Sequence, residues 1–371
     1  MLSDLVGSNP PLDARAVSLA VRDFLRVRND SAGSYGICVA VSGGADSLAL
    51  AVAAGDVADR LGIPYTVCIV DHRMRAGSSL EAAGVSAYLR ALGVPDVRIL
   101  STADKSATLP PSPEASARKL RHELLEETAR SFGAERDLDC VDILLGHTMD
   151  DQAETVLMRL GRGSGALALS AMAPLAPVAT GGGPALNRGR PMLGVRRADT
   201  ERFCHALGLS YLEDSTNAPD GPWQTRDGAP LPRAAIRAFV LPALEDALGQ
   251  DPVPALARTA QLLREDSVAL TQWSQAVLAE ALTEEAGVTG LRIELLEGLP
   301  RAIAGRVLKA WAERCGATGL SLVHINELEK LIGSPRNAAG ELRVVRLPGG
   351  VTALRVGALL TGQKTGEAAQ V

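Results

Sequence analysis

The sequence predicts an α/β protein: a parallel sheet with helices on both faces over residues 1–217, followed by a mainly helical C-terminal domain ending in a small β-hairpin. Three observations carry this. Short apolar runs rich in β-branched residues, at 36–41, 65–70, 97–100 and 141–145, alternate with stretches of helical spacing. A glycine turn, Gly43-Gly44, joins the first run to the helix behind it. Beyond residue 233 the pattern shifts to long amphipathic segments and then to two β-rich runs flanking Gly349-Gly350.

The elements follow in order. After Pro10-Pro11, Asp13 is suited to cap a leading helix within 1–30 whose apolar face is Val17, Ala20, Val21, Phe24 and Leu25. The first strand ends in the glycine turn, and Leu48 to Arg60 continues as a helix. Tyr65 to Val70 is a second buried strand ending at Asp71-His72, a helix spans about 79–92, and a short strand lies near Val97 to Leu100. Ser112, with Pro113 in the first helical position, starts a helix to about Phe132. Val141 to Leu145 is the next strand, Ala179 to Gly189 with its three consecutive glycines reads as a flexible surface loop, and a helix spans about 199–207. Residues 218–232, with four prolines and few apolar side chains, are the best linker. Helices are expected over 234–248, 254–282 and 301–311, a hairpin from Leu342–Leu347 and Val351–Val356, and a disordered tail over 366–371.

Composition narrows the function. At 371 residues and 46% hydrophobic, the chain should hold more than one domain and a substantial core. No apolar run is long enough to span a bilayer and the N-terminus lacks a signal-peptide pattern, so a cytoplasmic protein with no membrane partner is expected. Cys38, Cys68, Cys140, Cys204 and Cys315 form no C-x-x-C pair and read as reduced core thiols. A net charge of −5 argues against nucleic-acid binding through overall basicity, leaving only a local basic face for such a partner.

The turn Ser42-Gly43-Gly44-Ala45-Asp46-Ser47 lies where a strand meets a helix. Paired glycines admit an anion close to the backbone, and the free N–H groups of the helix start favour negative charge. Ser42 and Ser47 add hydroxyl donors, and Asp46 is placed to hold a Mg2+ that bridges polyphosphate. No Gly-Lys-Ser/Thr and no G-x-G-x-x-G follows, which excludes a Walker loop and a dinucleotide fingerprint.

A second constellation follows the strand at 141–145: Gly146-His147-Thr148-Met149-Asp150-Asp151-Gln152-Ala153-Glu154-Thr155. With a helix starting at Thr148, Asp151 and Glu154 share a face. Thr148-x-x-Asp151 is also a capping box, which accounts for those two residues and leaves His147 and Glu154 unexplained. Carboxylates beside a bound polyphosphate imply a metal ion or an amine. Arg118 and Arg121 share a face of an earlier helix and could meet phosphate together, although arginines so spaced are more often a solvated face.

The Ser42–Ser47 loop resembles the pyrophosphate loop of the N-type ATP pyrophosphatases, the PP-loop superfamily, which cleave ATP between its α and β phosphates and have a Rossmann-like sheet. Taken with Val70-Asp71-His72 and Arg75, Glu114–Arg118, Gly146–Thr155, Arg162–Gly165 with Leu169–Met172, Arg190-Pro191 and Asp214–Asn217, the chain resembles the tRNA(Ile)-lysidine synthase family. The matches cover most of 36–217 in order. Beyond them only Arg233, Arg237 and Pro242 correspond, and Ala234 replaces the Asn usual after the arginine.

The resemblance implies ligation of free L-lysine to C2 of the wobble cytidine in a tRNA(Ile) with a CAU anticodon, through an adenylated cytidine, with ATP and Mg2+ as cofactors. It assigns nucleotide binding to Ser42, Gly43, Gly44, Ala45, Asp46, Ser47, Asp71 and His72, and the metal to Asp46. Catalytic roles fall to Asp46, Arg118, His147, Asp151 and Glu154. Substrate contacts fall to Arg118, Arg121, Arg162, Gly163 and Ser164, with Asp151 and Glu154 binding the lysine ammonium. Longer members of the family carry a further C-terminal domain, so acceptor-stem recognition is expected here from the helical region and the hairpin near Arg343 and Arg346. A homodimer is left open. The competing readings are a tRNA-thiolating relative, which would call for paired cysteines, and a non-catalytic nucleotide-binding module.

Overall fold

The structure is a computed structural model and describes all residues except 1, 72, 74–76, 102–112, 164, 179–181, 213–220, 222–223, 225–226, 286–287, 337–341 and 365–371. The expected roles of His72 and Ser164, the matched Arg75 and Asp214–Asn217, much of the 218–232 linker and the tail fall outside the described residues. By contact the chain divides into residues 1–262 and 263–371. None of the described helices is long and apolar enough to cross a membrane.

In the first unit, α1 (Leu2–Val6) and α2 (Leu12–Ser31) precede β1 (Tyr35–Val41), α3 (Ala45–Leu61), β2 (Tyr65–Asp71), α4 (Ser78–Ala91) and β3 (Val97–Ser101). Then come α5 (Pro113–Glu135), β4 (Cys140–Leu144), α6 (Met149–Leu160), α7 (Ala166–Leu169), β5 (Leu175–Pro177), β6 (Ala185–Gly189) and α8 (Arg197–Ala206). The six-stranded sheet has the order β3-β2-β1-β4-β6-β5. All neighbours are parallel except β5, which runs antiparallel at the edge.

Both faces are covered, as the continuous apolar strands require. One face packs against α2 and α3 through Val17, Val21, Leu25, Leu48, Val52 and Ile37. The other packs against α5 through Leu125, Ala129 and Phe132, which meet Cys38, Cys68 and Ile143. Cys38, Cys68, Cys140 and Cys204 are buried free thiols, as expected of reduced core cysteines.

One expectation is overturned. The glycine-rich stretch 179–189 is not a loop throughout, because Ala185–Gly189 is β6, paired in parallel with β4 from Cys140↔Ala185 to Leu144↔Gly189. Its sequence lacks β-branched residues, and only Leu186 supplies an aliphatic side chain to the core. Gly189 fits because a Cβ there would come within 2.7 Å of Leu144 and 2.9 Å of Phe24. Tertiary packing decides this strand against its propensity.

The first unit continues through α9 (Pro232–Ala235), a π-helical turn at Ile236–Val240, α10 (Leu241–Leu248) and the start of α11 (Val253–Ala281). Leu241 and Val253 bury against Ala153 of α6. In the second unit follow β7 (Leu282–Glu285), β8 (Val288–Arg292), α12 (Arg301–Arg314), α13 (Leu322–Gly333), β9 (Val344–Leu347), β10 (Val351–Val356) and β11 (Leu359–Lys364). The expected hairpin is the β9–β10 pair. It belongs to a larger antiparallel sheet, β7-β8-β11-β10-β9, whose core with α12 and α13 is centred on the fully buried Trp311.

Candidate active site

Strand order places the site. From β1 the chain passes to β2 on one side, whereas β4 lies on the other, so the order of the strands reverses between β1 and β4. Ligands in open α/β sheets bind beyond the carboxyl ends of the strands at such a point. The Ser42–Ser47 turn leaves β1 there, and the His147 segment leaves β4 beside it. The two are in close contact: a Cβ on Gly146 would lie 3.1 Å from the Asp46 carbonyl oxygen and 3.1 Å from Ser47 Cα.

The turn is a pre-formed cradle. Gly43 adopts φ +94, which disfavours any side chain, and its carbonyl accepts from the Leu212 amide at 2.9 Å. Ser47 Oγ accepts the Ser42 amide at 3.1 Å and donates to the Gly44 carbonyl at 3.0 Å, closing the loop on itself. Gly44 and Ala45 then open α3. Asp71, at the carboxyl end of β2, accepts from Ser78 Oγ (2.7 Å), Ser79 Oγ (2.6 Å) and the Arg73 amide (3.0 Å). Burial raises its pKa, but these hydrogen bonds outweigh burial and the net shift is downward.

The start of α6 carries the acidic group. Asp151 Oδ2 accepts the Thr148 amide at 2.9 Å and the Thr148 hydroxyl at 3.1 Å, so the capping contact is real. Its other oxygen faces Arg197 Nη2 at 3.1 Å and Arg233 Nη1 at 3.9 Å. Burial raises the Asp151 pKa, but Arg197 and the Thr148 amide more than reverse this and hold it ionised. Glu154 is fully covered; its Oε1 accepts from Arg237 Nε at 2.8 Å, and Oε2 has no hydrogen-bond partner among the described residues. Asp150 turns aside to Arg196 (3.1 Å) and the Arg197 amide (2.8 Å).

The residue that joins the two halves is Arg197, the first of α8, which the sequence reading did not single out. It donates through Nε to Asp46 Oδ2 (3.2 Å) and through Nη2 to Asp151 Oδ1 (3.1 Å), and its Nη1 lies 3.5 Å from Glu154 Oε1. Thr200 Oγ1 also donates to Asp46. Burial pushes the Asp46 pKa up, and Arg197 and Thr200 restrain it. Arg196 and Arg197 stand just ahead of the expected helix start at 199. Two cations opening a helix run against its dipole, and that was the available signal.

The other expected residues divide. Arg118 is exposed on α5, and its charge and that of Arg233 help depress His147. Arg121 is likewise exposed on α5. Arg162 and Gly163 follow the far end of α6, whose last residue, Leu160, is about 13.5 Å along the helix from Asp151 at 1.5 Å per residue. Arg233 and Arg237 face the carboxylates of α6.

His147 is neutral at physiological pH. Burial drives its pKa from 6.5 down to about 3; Asp151 opposes the shift, and Arg190, Arg118 and Arg233 reinforce it. Between those values the unfolded chain binds a proton that the folded chain does not. This contribution to stability is therefore full above 6.5 and is lost as pH falls towards 3, at no more than ~1.4 kcal/mol per pH unit. His147→Gln is expected to flatten the decline of urea stability between pH 6.5 and 4; an unchanged decline contradicts the assignment.

The doubly wound sheet and its glycine cradle define a PP-loop nucleotide-binding protein, and residues 18–244 match the family model described as a PP-loop domain. Residues 291–355 match the TilS substrate binding domain. A tRNA(Ile)-lysidine synthase of Salinispora tropica is 41% identical, over 87% of this chain and 91% of its own length. That of Thermobifida fusca is 40% identical, over 88% and 91%. The chain belongs to the tRNA(Ile)-lysidine synthase family. A solved U34-tRNA thiolase of Methanococcus maripaludis aligns with TM-score 0.49 and 17% identity, over 68% of this chain and 80% of that one.

Proposed function

We propose that the protein ligates L-lysine to C2 of the wobble cytidine in a tRNA(Ile) with a CAU anticodon, converting ATP to AMP and pyrophosphate. The observation that carries the reading is the meeting of the Ser42–Ser47 cradle with the Asp151–Glu154 face at one switch point, bridged by Arg197. The cradle would hold the departing pyrophosphate while the cytosine C2 oxygen attacks the α-phosphate. The ε-amine of lysine then attacks C2, and the C2–oxygen bond breaks to release AMP. Only a neutral amine is a nucleophile, so one carboxylate of the pair takes its proton. Asp151, held ionised by Arg197 and Thr148, suits recognition of the ammonium. Neutral His147, its Nδ1 without a hydrogen-bond partner among the described residues, adds no positive charge to repel it.

Among the described residues no group of three His, Cys, Asp or Glu forms a metal cage. A single carboxylate, Asp46, beside the Thr200 hydroxyl fits Mg2+, which keeps waters and binds chiefly through phosphates. Asp46 would hold it, and the ion would supply charge neutralisation on the leaving pyrophosphate.

The test is incubation with ATP, Mg2+, radiolabelled lysine and a CAU tRNA(Ile) transcript. Label should enter the tRNA only when all four are present. Labelling that persists without ATP, or that accepts a GAU transcript equally, contradicts the reading.

A further inference from the structure

Arg197 contacts all three carboxylates that the proposed reaction assigns to cations: Asp46, Asp151 and Glu154. A guanidinium in the first position of α8 opposes that helix's dipole, so the helix itself gives no reason for it. The side chain is 22% exposed and that of Glu154 is 0% exposed. The guanidiniums of Arg197 and Arg237 both occupy Glu154 Oε1, so a substrate ammonium takes that oxygen only when one of them withdraws. Arg237 also covers Glu154, at 2.8 Å, but it is Arg197 that ties the same carboxylate to Asp46 on the nucleotide loop.

We propose that Arg197 is a resident counter-ion shared by the nucleotide and amine half-sites, and that its displacement couples metal–nucleotide binding at Asp46 to lysine binding at Asp151 and Glu154. The inference rests on the lysine-site reading above. Whichever ligand binds first must break the contacts of Arg197 with the carboxylates. The second meets groups already released, so coupling is positive and, by linkage, reciprocal. The phosphates of ATP offer the guanidinium a replacement partner with matching geometry; a lysine molecule offers only its carboxylate. Nucleotide is thus the more effective displacer, and the amine site opens once the energy source is in place.

Equilibrium dialysis of radiolabelled lysine against the full chain tests this, without nucleotide and with Mg2+ plus α,β-methylene-ATP. In the parent, nucleotide should tighten lysine binding by roughly 5- to 150-fold. In Arg197→Met, lysine binding without nucleotide should tighten and the ratio should fall to within about twofold of one. No coupling in the parent, a parent-like ratio in folded Arg197→Met, or weaker nucleotide-free binding overturns the proposal. Should the Met variant not fold, Arg197→Lys keeps the charge without the fork that spans three carboxylates. Its ratio should fall below the parent's, and an unchanged ratio overturns the proposal. Glu154→Gln separates the two readings. If it leaves lysine affinity unchanged, the lysine-site reading itself fails; if it weakens lysine while Arg197→Met retains coupling, only the counter-ion proposal fails.

Discussion

Asp46→Asn is expected to lower tRNA-dependent ATP–pyrophosphate exchange and AMP release by about 10²–10³-fold while leaving the fold intact. The substitution keeps the shape of the side chain and an oxygen able to accept from Thr200, and removes only the charge. That charge is held at some cost, since burial raises the Asp46 pKa and Arg197 and Thr200 only partly offset it. A partly buried carboxylate at the mouth of an anion cradle is unfavourable unless a cation accompanies it, and Arg197 is the cation that does so before Mg2+ arrives. The same shift gives a pH signature in the metal-free protein: Asp46 protonates at higher pH than an ordinary carboxyl, so protons should compete early on the acid side with binding of Mg2+–nucleotide. Exchange within tenfold of the parent in a folded Asp46→Asn would remove Asp46 as the metal-holding residue.

The features legible in the sequence were those written in local chemistry. The Ser42–Ser47 turn announces itself by two adjacent glycines after a β-branched run, and the structure places it at the predicted strand end. Asp151 and Glu154 were legible because helical spacing alone puts them on one face. Arg197 was not, because its meaning lies in contacts across more than 150 residues of sequence with Asp46. Arg233 and Arg237 became interpretable only once α9 and the π-helical turn brought them against α6. The strand Ala185–Gly189 was hidden for the opposite reason, since its residues lack β propensity and its pairing with β4 comes from the sheet. Similarly, β9 and β10 carry a local hairpin signal, whereas β7 and β8 join the same sheet through β11.

Gly146→Ala is expected to impair ATP use by about 10- to 100-fold without altering a single polar group of the site. The added Cβ would lie 3.1 Å from the Asp46 carbonyl oxygen, 3.1 Å from Ser47 Cα and 3.2 Å from the Asp46 carbonyl carbon. All three are backbone atoms and cannot rotate away, so the start of α3 must retreat from β4 by a few tenths of an ångström. That movement carries Asp46 and Ser47 away from Asp151 and Glu154, the separation the proposed chemistry depends on. Both the KM for ATP and kcat should suffer, and because α3 is buried from Ser47 to Ala58 some stability is lost as well, so the kinetics are read on protein shown to be folded. Gly84→Ala is the matched control, since its Cβ meets nothing within 4 Å and the residue lies within α4. Parent-like kinetics in a folded Gly146→Ala would mean that the contact between the two loops does not set the geometry of the reaction, and that the cradle and the acidic helix start work as independent sites.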